Sequence, residues 1–297
     1  MHAIESAEPL PIDLFPAAQR TDRAMLGSVT VSVVIPTLNE AANLRHVLPK
    51  IPAWIDEILI VDGHSTDRTP EVAQEICPRA RVVYQERKGK GEALRTGFAA
   101  ATGDIIVMLD ADGSTDPDEI PAFIGPLLSG ADFVKGSRFL QGGGTADMTL
   151  FRKAGNWVLT KAVQLSHGGR YSDLCYGYNA FWARVIPQLE LDGDGFEIET
   201  IMNVRALKRG LKVVEVASFE GRRIHGESHL RTLPDGWRVL KVIGREARRR
   251  AKSVSAPRPA YVVEQPKYLA DMGAQAASAY PVRPLDHLES GYQATEG

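Results

Sequence analysis

Two carboxylates spaced i, i+2, Asp110 and Asp112, follow directly on the apolar run Ile105–Leu109. A short apolar run of this kind reads as a buried strand, and acids just past its end sit where open α/β sheets bind ligands. Two such acids can hold a divalent cation, Mg²⁺ or Mn²⁺, against a diphosphate, because hard cations take carboxylate oxygens and bridge them to phosphate oxygens. The pair alone is a weak signal, since Asp-x-Asp arises by chance about once in a chain of this length. The competing reading is a helix cap followed by a solvated acidic turn over 112–119. Four further clusters decide between them. Pro36-Thr37-Leu38-Asn39-Glu40 and Asp62-Gly63-His64-Ser65-Thr66-Asp67 each follow a β-branched, apolar run. Lys88-Gly89-Lys90-Gly91, leading into a helical pattern, would bring positive charge and close backbone approach to phosphates at a helix N-terminus, and Lys135-Gly136-Ser137-Arg138 closes another apolar run. Each piece has a plain structural alternative: a cap at Asn39, Asp62 or Asp67, a solvated turn at Lys88 and Lys90. Five such loops at consecutive strand ends form one constellation.

The elements that would position these loops alternate. Strands are expected over 30–35, 57–61, 81–84, 104–109 and 132–136, with helices over 40–50, 69–76, 92–101 and 117–128. This β-α alternation predicts an open, mostly parallel α/β sheet with helices on both faces, Rossmann-like, in a single domain. Right-handed crossovers then place the five loops on one edge. The second half is less regular. Helices are expected over 150–165, 196–209 and 234–252, and strands over 179–183 and 212–216. The last helix is basic and amphipathic, with Trp237, Leu240, Ile243 and Ala247 on one side. Residues 1–28 read as a flexible N-terminal arm and 253–297, rich in Pro, Ala, Gln and Ser, as a disordered tail. The domain proper spans 29–252, a nucleotide-sugar half over about 29–138 and an acceptor half over about 139–252.

The chain has 297 residues, 44% hydrophobic, and a net charge of −2. The charge is uneven: residues 222–252 hold ten Arg and Lys against three Asp and Glu, a local +7. Such a segment suits an anionic partner. Two cysteines, Cys77 and Cys175, without a CxxC spacing point to free thiols in a reducing compartment. No apolar start and no apolar run of membrane-spanning length is seen, so the expectation is a cytoplasmic protein, peripheral at the inner face of the membrane. No glycine fingerprint follows the first strand and Lys90 is followed by Gly, which disfavours a dinucleotide-dependent dehydrogenase and a Walker A loop.

The ordered set P-T-L-N-E-A-x-N (36–43), V-D-G-H-S-T-D-R-T (61–69), K-G-K-G-x-A-L-x-x-G (88–97), L-D-A-D (109–112), G-S-R-F (136–139), S-D-L-C-Y-G-Y-N-A-F (172–181) and R-x-x-G-x-S (223–228) spans about 200 residues. In these pieces the chain resembles the family 2 glycosyltransferases of the GT-A fold, closest in pattern to the polyprenyl-phosphate sugar synthases of the dolichyl-phosphate mannose synthase kind. The resemblance implies a nucleoside pocket lined by Pro36, Leu38, Glu40 and Asp62, with Lys90 and Asp110 also on the nucleotide. It implies Asp112 as principal metal ligand, with Asp110 direct or through water. It places Arg138 and Arg152 near the acceptor phosphate and the leaving diphosphate. Asp173 would orient sugar hydroxyls or the reacting groups, and Arg223 would clamp a phosphate. Departures occur at Gly113–Pro117, which leaves Ser114 as an uncertain third metal contact, and at Tyr176–Asn179, where the synthases carry a basic residue. One extra residue between Phe219 and Gly226 makes Arg222 an alternative to Arg223.

The reaction so implied is metal-dependent, inverting transfer of a hexose-type sugar from a GDP- or UDP-linked donor. A phosphate acceptor needs no strong base, whereas a hydroxyl acceptor needs one, for which Asp173 and Glu199 are the candidates and Glu197 a lesser one. A polyprenyl phosphate at the membrane surface is the expected acceptor, reached through the basic helix 234–252, with no nucleic acid partner. The alternatives are a soluble hydroxyl acceptor, a silent nucleotide-sugar-binding protein, and a sugar-nucleotide pyrophosphorylase, which would want a Gly-rich loop after the first strand.

Overall fold

A computed structural model describes residues 26–227 and 232–249. The expected tail and nearly all of the expected arm lie outside the described residues. Leu26, placed in the arm by sequence, is buried in the core. Of the last expected helix, 250–252 also lie outside.

The elements of the first half are β1 (Val31–Thr37), α1 (Ala41–Val47), β2 (Glu57–Asp62), α2 (Thr69–Ile76), β3 (Arg81–Tyr84), α3 (Lys90–Ala100), β4 (Ile105–Met108), α4 (Ile120–Leu128) and β5 (Phe133–Ser137). They are followed by β6 (Gly144–Thr145), α5 (Leu150–His167), β7 (Asn179–Trp182), α6 (Ile186–Leu189), α7 (Glu197–Lys208), β8 (Val213–Ala217), β9 (Phe219–Glu220) and α8 (Thr232–Arg248). Seven strands form one sheet in the order β3-β2-β1-β4-β7-β5-β8, and β6 pairs with β9.

The strands alternate their side chains between two cores. Val31, Val33, Ile35, Ile58 and Ile60 pack with Leu44, Ala73, Phe123 and Leu127 of α1, α2 and α4. Val34, Leu59, Val61, Ile106 and Met108 pack with Leu94, Phe98, Val163, Met202 and Ile243 of α3, α5, α7 and α8. Strands buried on both faces read as continuous apolar runs, which is why they stand out in the sequence. Helix α3 lies close against the sheet. A Cβ at its Gly97 would come within 2.4 Å of Val34 Cγ1 and 2.8 Å of Val61 Cγ2, so only glycine permits that approach.

Six of the seven strands of the large sheet run in one direction. β7 runs antiparallel to both β4 and β5, pairing Asn179 with Met108 and with Lys135. A strand from the second half is thus inserted between two strands of the first. The carboxyl ends of β1 to β5 share an edge, as expected. Because β7 is reversed, its amino end, carrying Ser172–Tyr178, reaches that edge too.

One amphipathic assignment is corrected. On α8 the buried stripe is Asp235, Val239, Val242, Ile243 and Glu246, whereas Trp237, Leu240 and Ala247 of the expected face are exposed and only its Ile243 is buried. The buried face carries the β-branched Val239, Val242 and Ile243 together with Glu246, which accepts from Arg205 Nη2 at 2.7 Å inside the protein.

Candidate active site

The shared edge opens into a cavity of about 470 Å³. Of the expected site residues, Pro36, Leu38, Glu40, Lys90, Asp110, Asp112, Arg138, Arg152 and Arg223 all line it. Asp62 does not. It is buried beneath the edge and accepts from Ser65 N at 2.9 Å, holding its own turn while Gly63 faces the cavity. Asp173 does not line it either.

The acidic pair leaves β4 at the centre of this wall, and each acid is matched by a cation. Lys90 Nζ lies 2.7 Å from Asp110 Oδ1 and 2.7 Å from Glu199 Oε1. Burial works against the charge on Lys90, but the two carboxylates outweigh it and hold the ammonium well above the ordinary lysine range. Glu199, one of the two general-base candidates, is therefore tied up by Lys90. Gly177 backs onto this triad: a Cβ there would meet Asp110 Oδ2 and Glu199 Oε1 at 2.9 Å. On the other side Arg223 Nη2 lies 3.3 Å from Asp112 Oδ2, and its Nη1 donates to Glu40 Oε1 at 2.9 Å. Arg223 Nε is buried and finds no hydrogen-bond partner among the described residues. Arg222 instead donates Nε to the Ala146 carbonyl at 3.3 Å, so Arg223 is the arginine that reaches the acids. Its loop is held by Asn43, whose Oδ1 accepts from His225 N at 2.8 Å and whose Nδ2 donates to His225 O at 3.1 Å.

The donor set suits a hard cation. Asp110, Asp112 and Ser114 line one cavity, and the acids already carry protein cations where a metal would supply positive charge. Among the described residues no group of three or more His, Cys, Asp or Glu could hold a metal. A cation here would complete its shell with ligand or water oxygens, as Mg²⁺ ordinarily does beside phosphates.

Arg138 leaves the end of β5 and is the most tightly held group in the cavity wall. Its Nε and Nη2 make a bidentate pair with Asp173 at 2.7 and 2.9 Å, and Nη1 donates to Glu220 Oε1 at 2.9 Å. Its guanidinium lies 4.8 Å from the centre of the Tyr176 ring. Burial disfavours the charge on Arg138, yet Asp173 and Glu220 hold it well above its ordinary value. Burial likewise raises Asp173, but Arg138 and Lys135 prevail and hold its carboxyl below the usual aspartate range. With no exposed surface, Asp173 acts on the cavity through Arg138 and not by direct contact. Arg152 is more loosely held, 3.8 Å from Asp147 Oδ2 on the first turn of α5.

The Lys88–Gly91 loop differs from its expected role. The space left by its glycines is filled by backbone: a Cβ at Gly89 would meet the Asp194 carbonyl oxygen at 2.1 Å, and one at Gly91 the Gly193 oxygen at 2.4 Å. The first N–H groups of α3 donate to Asp194 O, from Gly91 N at 2.8 Å. The helix end is thereby closed by protein, Lys88 is exposed, and only Lys90 enters the cavity. Asp194 and Asp192 do not cap α7. The Asp192 carboxylate pairs with Arg205 at 2.8 Å and Asp194 with Arg95 at 2.5 Å.

Sequence reasoning passed over Gln85, Phe196, Glu220 and Asp235, which also line the cavity. Glu220 carried a weak signal, since it stands two residues before the Arg222-Arg223 pair. The others carried none.

Comparison with known proteins follows the same lines. Residues 32–187 match the family model "Glycosyl transferase family 2". Glycosyltransferase AglJ of Haloferax volcanii is 34% identical over 224 residues, covering 73% of this chain and 72% of that protein. The dolichol-phosphate mannosyltransferase of Pyrococcus furiosus is 34% identical over 210 residues, 68% of this chain, and the chain spans 59% of that protein. Glucosyl-3-phosphoglycerate synthase from Mycobacterium tuberculosis, solved with Mn²⁺, UDP and glucosyl-3-phosphoglycerate, superposes with a TM-score of 0.62 at 24% identity, over 90% of this chain and 98% of that one. This last likeness is one of fold.

Proposed function

The chain belongs to glycosyl transferase family 2 and is a glycosyltransferase of the GT-A fold, and from that premise we propose that it moves a hexose from a nucleoside-diphosphate sugar to a polyprenyl phosphate at a membrane surface. The observation that carries the reading is the pairing of acids and cations along one cavity wall: Lys90 on Asp110, Arg223 on Asp112. A wall of alternating fixed charges suits a ligand that brings phosphate oxygens for the cations and a metal for the acids.

In this reading Pro36, Leu38 and Glu40 bound the nucleoside end, and Asp62 fixes the Asp62–Ser65 turn beneath it. Asp110 and Asp112 would hold Mg²⁺ or Mn²⁺, with Asp112 the principal ligand; bound there, the cation neutralises charge on the departing diphosphate. Arg223, whose loop is latched to Asn43, would turn its guanidinium to phosphate oxygen. Lys90 does the same from the floor. Arg138 is preorganised by Asp173 and Glu220, so it meets developing charge without reorganisation. Arg152, less constrained, faces the acceptor side.

The acceptor follows from the base question. Asp173 is buried behind Arg138, and Glu199 is bound to Lys90. Neither carboxylate is free to take a hydroxyl proton, whereas an acceptor phosphate is already ionised at neutral pH. The name of the Pyrococcus relative supports the same acceptor class. The last helix, α8, brings basic side chains beside the cavity and would lie near the lipid surface; among the described residues no helix is long and apolar enough to cross a membrane.

The test is a thermal-shift panel of GDP and UDP sugars with Mg²⁺ or Mn²⁺, followed by transfer to a polyprenyl phosphate in detergent. A donor that raises the melting temperature only with metal, and then transfers, is expected, because a ligand that binds only the folded state stabilises it. Transfer to a neutral sugar hydroxyl in preference to the lipid phosphate would overturn the acceptor assignment.

A further inference from the structure

Residues 171–178, between α5 and β7, bring Tyr176 and Gly177 to the cavity wall, yet they form neither helix nor strand. A buried irregular segment must find partners for its peptide groups outside any ladder. Here side chains supply them. Asn156 Oδ1 accepts from Cys175 N at 3.0 Å, and Asn203 Nδ2 donates to Leu174 O at 3.2 Å. The two ends of the stretch are held by charged groups. Glu215 accepts from Ser172 N at 2.9 Å and from Asp173 N at 3.3 Å. Lys135 Nζ donates to the Tyr176 carbonyl at 2.8 Å. Both side chains are buried, and they are register partners on the neighbouring parallel strands β5 and β8. Two hooks of opposite charge thus stand side by side under one loop.

These charges are kept against their desolvation. Burial holds the Lys135 ammonium below the ordinary lysine range, although Asp173, Glu199 and Glu215 work the other way, and burial raises Glu215. A buried pair is weak evidence for stability, since apolar side chains of similar volume often serve as well. Its hydrogen bonds give it another use. The carbonyl that Lys135 holds bears on both charged walls of the cavity. The next residue, Gly177, backs onto the acids: a Cβ there would stand 2.9 Å from Asp110 Oδ2 and 3.2 Å from Lys90 Nζ. The Tyr176 ring lies 4.8 Å from the Arg138 guanidinium, and its hydroxyl shares a hydrogen bond of 2.9 Å with Ser218 Oγ. One peptide therefore sits between the Lys90–Asp110 pair at the end of β4 and Arg138 at the end of β5.

We infer that Lys135 is a positioning residue for sugar transfer: by holding the Tyr176 carbonyl, with Glu215 holding the Ser172–Asp173 end, it sets the Tyr176–Gly177 peptide and so fixes the spacing of the two charged walls. Lys135 itself does not line the cavity. The inference rests on the chain's glycosyltransferase activity and on no particular acceptor. Lys135→Met alone leaves Asp173 and Glu215 facing a single arginine, and that protein is expected to lose stability. The informative protein is the paired variant Lys135→Met, Glu215→Gln, which removes both charges and keeps an amide oxygen for the Ser172 and Asp173 N–H groups. It should melt within a few degrees of the wild type. Its kcat, for transfer or for donor hydrolysis with no acceptor added, should fall about tenfold or more, with the donor KM changed by less than about threefold. Amide exchange should quicken over 172–177 and stay unchanged in β5 and β8. Gly177→Ala presses on the same peptide from the acid side and should lower kcat as well. Combined with the paired variant, it should cost less than the product of the two losses, because both act through one peptide. A merely structural pair would give the full product. Multiplicative losses, unchanged exchange over 172–177, retained kcat, or a paired variant that does not fold overturns the inference. If the wild type hydrolyses its donor but transfers nothing to polyprenyl phosphate, the acceptor assignment falls and the hydrolysis rates still judge Lys135.

Discussion

The β4 wall and the β5 wall of the cavity use charge in opposite ways. At the end of β4, Asp110, Asp112, Lys90 and Arg223 are partly accessible, and their ion pairs face the cavity where a ligand can replace one partner. At the end of β5 the central pair is sealed: the side chains of Arg138 and Asp173 are 4% and 0% exposed. An exchangeable pair stores binding capacity, because, on the proposed function, metal and phosphate would take over each partner. A sealed pair stores geometry, because removing one partner leaves an uncompensated buried charge.

The sharpest way to break this contrast is the same loss of charge on both sides. Asp112→Ala should reduce transfer by about a thousandfold or more, in line with losing a preorganised electrostatic contact and its metal, while the melting temperature stays within a few degrees. Full turnover by EDTA-washed Asp112→Ala protein would remove the metal assignment. Asp173→Asn should do the reverse first. Its expected cost is about 3–5 kcal/mol of stability, read as a large drop in urea midpoint, and any folded remainder should lose kcat through a misplaced Arg138. A stable Asp173→Asn protein with unchanged melting would show that the buried pair positions nothing.

The next effect separates two neighbours in sequence. Arg223→Ala should lower kcat/KM by about a hundredfold, as for loss of one oxyanion donor, and Arg222→Ala by less than about threefold, since Arg222 holds only a surface carbonyl. Equal losses would return the choice to the ambiguity present in the sequence.

Acid should then probe the sealed side. Asp173 and Glu246 have folded pKa values below their ordinary ones. Their stabilisation is present above the ordinary carboxylate range and is lost as pH falls through the folded values, below about pH 4. Glu215, raised by burial, runs the other way and softens that fall. The melting temperature should be level from neutral to about pH 5 and drop below pH 4, and replacing Asp173 should flatten that limb. The smallest effect is chemical. Burial, with Asp173 and Glu199 nearby, pushes the Cys175 thiol up to about 12, so alkylation mapped by mass spectrometry at pH 8 should leave Cys175 unmodified, the thiolate being the reactive form.

The fold was legible to within a residue or two in most elements, and α2 and β3 lie where expected, because strands buried on both faces are continuous apolar runs and their helices keep a 3.6-residue period. The strand-end loops were legible for the same reason, since a polar, glycine-containing segment after such a run has one edge to occupy. Less of the site was legible. The Lys88–Gly91 glycines looked like a phosphate cradle, but their room is taken by the Gly193–Asp194 backbone, a contact between residues about a hundred positions apart. Glu199 and Asp173 looked like interchangeable bases, and only their partners, Lys90 and Arg138, show that both are engaged.

By itself the sequence determined the alternating α/β order, the acids at the end of β4 and the row of loops that follow consecutive strands, since these depend on local periodicity and on where polarity begins. The tertiary structure alone decided that β7 runs backwards between β4 and β5, that α8 turns its tryptophan outward, and which cation answers each acid. Those outcomes depend on pairing between distant segments, and a buried charge is settled by whichever opposite charge the fold delivers to it, which no local pattern encodes.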